Sequence, residues 1–199
     1  MSTQTQDPVD FAALQAAFTA MEGRMSALES RVDREVAEIR EELPDNRITL
    51  IVFSNDLDKL LASYVIATGA AAMGMDVTMF FTFWGITSLK ARQSMADKDI
   101  MQKMMSLMTP VGTQATHPSK MAFWGAGAAM MRQMMRNKDI TSLEDMMGQA
   151  QEFGVRTVVC EMSMNLMGIT AAELMPGLDF GGVATFLGEA TRSKATLFI

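Results

Sequence analysis

The sequence is poor in reactive side chains: among its 199 residues there is a single cysteine, Cys160, and a single histidine, His117. One cysteine cannot form an internal disulfide and no Cys-x-x-Cys pair exists, so the cytoplasm is the expected compartment. One Cys and one His fall short of an ordinary zinc ligand set, and no metal site is expected. Basic charge is scarce: 17 Lys and Arg stand against 23 Asp and Glu, a formal net charge of −6. Nucleic-acid binding needs a basic footprint, and none is visible. An acidic surface instead attracts basic partners. No apolar run approaches the roughly 18 residues that a membrane span requires. The nearest, residues 77–89, is short and holds threonines and a serine. Residues 1–10 are polar and acidic, without the basic start and apolar centre of a secretory signal, and read as a disordered tail. Gly181-Gly182 precedes a helical pattern but lacks the rest of a GxGxxG or GK[ST] sequence, so no nucleotide or flavin cofactor is expected.

What the chain does have is apolar substance. Hydrophobic residues make up 49% of it, enough for a sizeable core, and its length suits one domain plus an extension. Phe11, Leu14, Phe18, Met21, Met25, Leu28, Val32 and Ile39 step by three and four in alternation, with Glu35 in the one polar seam position. This a/d heptad lasts about four heptads, and its narrow stripe with a period near 3.5 is that of a coiled coil. Residues 11–43 are therefore expected to form an oligomerisation helix, the alternative being an amphipathic helix folded back on its own domain. Asp7-Pro8 precedes the pattern and Pro44-Asp45-Asn46 ends it.

A different order begins at Arg47. Residues 48–53 read as a strand buried on both faces, 57–73 as a helix closed by Gly74, and 76–82 as a second strand, which is the signature of a parallel sheet. Residues 86–108 read as helical and rich in methionine. Further helices are expected from Ser119 to about Arg136, over 142–153 and over 183–191, with Thr170-Ala-Ala-Glu173 forming a capping box. Residues 155–160 and 195–199 read as strands, and 177–182 as a loop. The alternation argues for a three-layer α/β sandwich with a mostly parallel sheet over residues 47–199.

Cys160 ends a strand, and sites in open parallel sheets form outside the carboxyl ends of strands. A helical turn starting at Glu161 would favour an anionic sulfur there, while the Glu161 carboxylate itself opposes a lowered thiol pKa. A buried, inert cysteine is the plain alternative. His117 lies in a loop beside Pro118, where exposure to solvent is the simple explanation. Phe83-Trp84-Gly85 follows the second strand and either walls a pocket beside Cys160 or packs in the core. Phe123-Trp124-Gly125 has different flanks and is not its repeat. The 22 methionines sit at helical spacing among Leu, Ile and Ala, which suits adaptable packing or a partner surface better than Cu(I) binding.

Cys160-Glu-Met-Ser-Met-Asn-Leu-Met-Gly-Ile169, with Phe180-Gly-Gly-Val-Ala-Thr-Phe186, Leu187-Gly-Glu-Ala190, the strand–helix start at 48–61 and Phe80-Phe-Thr-Phe-Trp-Gly85, resembles the DsrE/DsrF/DsrH-like family, in its DsrE-like, predicted-peroxiredoxin branch. The resemblance covers residues 47–199 and leaves the heptad helix outside. It implies a flavodoxin-like sandwich, a homo-oligomer, and a cytoplasmic role in which a strand-end cysteine accepts sulfane sulfur and passes it to a TusA-like carrier. Cys160 is the matching position. Glu161, Met162, Ser163, Asn55, Phe83, Trp84 and Gly85 are the candidate residues around it. A sulfurtransferase or persulfide carrier is the leading expectation. A thiol peroxidase or redox sensor, for which the chain lacks a resolving cysteine, and a non-enzymatic oligomeric scaffold are the alternatives.

Overall fold

In a computed structural model, residues 11–42, 44–95, 98–109, 111–113, 116–119 and 126–199 of the protein are described. Two units separate at the boundary between Leu43 and Pro44. Residues 1–10 and the second Phe-Trp-Gly triplet lie outside the described residues.

The described part of the first unit is one helix, α1 (Phe11–Glu42), of 32 residues. The heptad spacing aligns its large apolar side chains along one side of the helix. From residue 11 to residue 39 no position of α1 is buried.

The second unit is a parallel sheet of five strands, β1 (Asp45–Val52), β2 (Asp76–Phe81), β3 (Arg156–Cys160), β4 (Asp179–Gly181) and β5 (Ser193–Phe198), in the order β4-β3-β2-β1-β5. Its helices are α2 (Leu57–Ala72), α3 (Ile100–Met108), α4 (Ala126–Asn137), α5 (Leu143–Glu152), α6 (Glu161–Met167) and α7 (Val183–Ala190). From β1 to β4 the chain advances in one direction, then crosses back to place β5 on the far side of β1. Right-handed crossovers that reverse direction put their helices on opposite faces of the sheet. On one face, Leu50, Val52, Met79, Phe81 and Val159 pack with Leu57, Leu60 and Tyr64 of α2 and with Leu143 and Met147 of α5 in the main core. On the other, Phe80, Val158 and Cys160 form a smaller cluster under Phe186 of α7. No residue of α7 is fully buried. Its last turn is held electrostatically: Glu189 receives Arg156 Nη1 at 2.8 Å and Arg47 Nη1 at 2.5 Å, from β3 and β1.

The three layers and the parallel sheet agree with the sequence pattern; two segments differ. Helix is expected over residues 86–108, yet Phe83–Leu89 is a 3-10 turn and regular helix is confined to α3. Tertiary contacts override propensity there, since Lys90 pairs with Leu174 in an isolated antiparallel bridge and Lys98 runs into a buried ion pair. Asp99 then starts α3, its N–H donating to Gln102 Oε1 at 3.2 Å. The Ser119 N–H and hydroxyl both donate to the Asp58 carboxylate, at 2.9 and 2.6 Å, and the residues between Ser119 and α4 lie outside the described residues. The expected loop at 177–182 contains β4, whose three residues take strand form because the edge of β3 offers them a ladder.

Candidate functional site

Cys160 is the last residue of β3 and the N-cap of α6. Strand alternation puts it, with Val158, on the α7 side of the sheet. The parallel register sets Phe81 against Val159, so the next residue, Thr82, comes abreast of Cys160. Ser163, one turn into α6, is fully buried, and its hydroxyl lies 2.8 Å from that of Thr82. Burial pushes the Cys160 thiol up. The Ser163 hydroxyl and N–H, the Thr82 hydroxyl and the Met162 N–H converge on the sulfur and more than offset it, holding the thiol below its ordinary range. The residue is 6% exposed. The thiol is thus shielded from solvent while nearby donors lower its pKa.

On the β4 side, Cys160 is level with Gly181. A Cβ at Gly181 would stand 2.7 Å from Thr185 Oγ1. Glycine there lets the first turn of α7 close over the strand end beside the thiol. In front of α6, Glu161, Met164, Asn165, Ala171 and Phe180 line a recess. Met162 and Leu166, one turn apart on α6, are exposed, and Phe180 is half-exposed, so apolar surface borders the site.

Of the candidate residues, Ser163 and the backbone of Met162 meet Cys160, and Glu161 lines the recess next to it. Asn55, Phe83, Trp84 and Gly85 form a separate group that ties the end of β1 to the turn after β2. Asn55 Nδ2 donates to Thr87 Oγ1 at 2.9 Å, and that hydroxyl donates to the Trp84 carbonyl at 2.7 Å. Phe83 takes a positive φ of 46°, and its ring lies tilted against that of Phe53, with centroids 5.3 Å apart. Gly85 N–H donates to the Phe53 carbonyl at 2.9 Å, and a Cβ there would overlap the Val52 carbonyl oxygen. The described hydrogen bonds of these four also reach Thr87 and Ser88 and, from the Gly85 N–H at 3.1 Å, the carbonyl of Thr82 beside Cys160. His117 is exposed, and its carbonyl accepts the Leu57 N–H at the start of α2, at 2.9 Å.

Sequence reasoning missed Thr82 as a site residue: it reads as the last residue of the strand 76–82, whose register is not legible in the sequence. It also missed a buried charge cluster behind α6. Glu173, fully buried, accepts Lys98 Nζ at 2.8 Å, Thr170 N–H at 2.9 Å and Ser94 N–H at 3.0 Å. Burial raises its carboxyl, but these donors prevail and carry its pKa down to about 2. The Lys90 ammonium, also buried, stops 3.8 Å from Glu173, and burial pushes its pKa down. The cluster pins the segment around residues 90–98 to the turn that follows α6. Gln102 Nε2 adds a bond from α3 to the Asn165 carbonyl, at 3.3 Å. Among the described residues, no group of three or more His, Cys, Asp or Glu is arranged to hold a metal, and no helix is long and apolar enough to cross a membrane.

Residues 44–198 match the DsrE/DsrF/DrsH-like family. The chain is 39% identical over 154 residues to the Bacillus subtilis protein YrkE, described as uncharacterized, covering 77% of this chain and 96% of that one. It is 28% identical over 161 residues to the sulfur carrier protein DsrE2 of Allochromatium vinosum, covering 79% of this chain and 100% of that one. Among solved structures, the ychN protein from E. coli aligns with a TM-score of 0.48 at 11% identity, over 77% of this chain and 99% of the other.

Proposed function

The chain belongs to the DsrE/DsrF/DrsH-like family, and from that premise we propose that it is a cytoplasmic sulfur carrier that holds sulfane sulfur on Cys160 as a persulfide. The observation that carries the reading is the thiol itself: it is shielded from solvent and kept below its ordinary pKa by Thr82, Ser163 and the Met162 N–H. Similarity to a protein named as a sulfur carrier supports the same chemistry.

The Cys160 thiolate attacks the outer sulfur of a thiosulfate- or polysulfide-type donor. One S–S bond forms on Cys160 and the donor's S–S bond breaks, its electron pair leaving with sulfite or the shortened polysulfide. A partner thiolate, on a TusA-like protein, then attacks the outer sulfur of the persulfide and returns the Cys160 thiolate. Neither step needs a second cysteine in this chain or an outside oxidant. The Ser163 and Met162 N–H groups, with the hydroxyl of the Thr82–Ser163 pair that does not donate to the other, favour the anionic Cys160 sulfur of the empty state. The exposed Met162, Leu166 and half-exposed Phe180 offer the partner an apolar landing beside the cysteine. α1 serves as the assembly helix of a homo-oligomer.

Intact mass after incubation with thiosulfate or polysulfide tests the reading. The wild-type protein is expected to gain one sulfur atom and the Cys160→Ser variant none. A variant that still gained sulfur would exclude Cys160 as the carrier. The lowered thiol also favours a thiol peroxidase as second reading. Rapid peroxide consumption with sulfenylation of Cys160, and no retention of sulfane sulfur, would select it instead.

A further inference from the structure

The one element that the family match leaves out is α1. Each of its apolar a and d side chains is between 54% and 78% exposed, so the stripe has no cover within its own helix. The composition of the stripe and the charges beside it say what fits. Positions a end in the β-branched pair Val32 and Ile39, while Leu14 and Leu28 occupy d. β-Branched residues at a with leucine at d favour two strands over three or four. The flanking e positions include Glu22 and Glu29, and the flanking g positions Arg24 and Arg31. In a parallel pair, g of one helix meets e of the next heptad on the other, which sets Arg24 against Glu29 of the second copy, twice by symmetry. In an antiparallel pair, g meets g and e meets e, which sets Arg24 against Arg31 and Glu22 against Glu29. The single charge in the stripe, Glu35 at d, has Arg31 of its own helix 3.9 Å away to offset it.

We infer that α1 pairs with α1 of a second copy of this chain as a parallel, in-register, two-stranded coiled coil; this rests on the reading of α1 as the assembly helix and specifies its partner and direction. At about 1.5 Å per residue the paired stem is roughly 48 Å long.

Sedimentation equilibrium on the full chain tests it with four variants. Leu28→Lys puts a charge into the seam and is expected to dissociate the dimer whatever its direction. Arg24→Glu and Glu29→Arg each replace two attractive pairs by two repulsive ones, and each is expected to weaken dimerisation by about tenfold. The double variant Arg24→Glu/Glu29→Arg is expected to restore it. Tighter association of the single variant Arg24→Glu would mean antiparallel helices and would overturn the proposal while leaving α1 as the assembly element. Single variants without effect, beside a Leu28→Lys that dissociates, would overturn it equally. A dimer indifferent to Leu28→Lys would instead remove the assembly reading of α1 on which it rests. A trimer or tetramer in the wild-type chain that Leu28→Lys dissociates would refute the two-stranded assignment.

Discussion

Glu173→Gln removes one charge from the cluster behind α6 and leaves its shape almost unchanged. In the wild-type protein the carboxylate receives Lys98, Thr170 and Ser94, with Lys90 3.8 Å away. The variant retains two buried ammonium groups and no carboxylate. A carboxyl lowered from 4.5 to about 2 corresponds to about 3 kcal/mol of folding stability at neutral pH, since one unit is about 1.4 kcal/mol. Breaking a buried ion pair by removing one partner costs a similar roughly 3–5 kcal/mol. Because the folded pKa is depressed, the unfolded chain binds the proton more readily. The contribution is therefore complete above the unfolded value of 4.5 and is lost as pH falls through the folded value of about 2. At pH 3 about 1.4 kcal/mol of it remains. Urea unfolding of wild type and Glu173→Gln at pH 7 and pH 3 measures both. The stability gap is expected to be about 3 kcal/mol at pH 7 and about half that at pH 3. A gap below about 1 kcal/mol, or one that does not narrow with acid, would refute the assignment of Glu173 as the anion that holds the two lysines. Thr170, one of its partners, lies just beyond α6, so the variant is also expected to slow sulfur loading of Cys160.

The remaining predictions concern the thiol and its frame. Ser163→Ala and Thr82→Val each remove a donor from Cys160, so the midpoint of its alkylation rate against pH is expected to move up. The rate at neutral pH should fall, because a smaller fraction is thiolate; profiles that coincide with wild type would refute the roles of the two hydroxyls. Gly85→Ala drives a methyl into the Val52 carbonyl and should cost about 2 kcal/mol or more in urea unfolding, because backbone must move. Arg156→Ala removes one of the two arginines that hold Glu189 of α7. Amide exchange in α7 is expected to quicken while α2 and α5, on the main core, keep their protection.

Much of this protein was readable before any coordinate. The apolar run at 48–53 announced a strand buried on both faces, which has no polar alternation to keep, and its succession by a helical pattern and a second strand at 76–82 announced a parallel sheet. Steps of three and four from Phe11 to Ile39 announced a helix with one apolar stripe, since spacing alone fixes which side chains share a side. Thr170-Ala-Ala-Glu173 announced its capping box, and Glu173 indeed receives the Thr170 N–H. Cys160 could be read as a strand end because residues 155–160 follow the glycine-stopped helix pattern at 142–153 and precede a helical turn at Glu161. Local pattern carries all of these.

What the pattern could not carry is register. Thr82 stands beside Cys160 only because β2 and β3 pair in one particular alignment, and nothing local to residue 82 records it. Glu173 in isolation reads as a capping residue on the surface; its burial depends on Lys98, 75 residues away. Residues 86–108 read as helical, yet 90–95 run as irregular chain bonded to Glu173 and Leu174. The lone cysteine, its strand end and the heptad stripe were thus determined by sequence, through periodicity. The hydroxyl pair that tunes the thiol and the buried charges behind α6 were decided by tertiary structure, because burial and hydrogen bonding act between residues that meet only when the sheet is assembled.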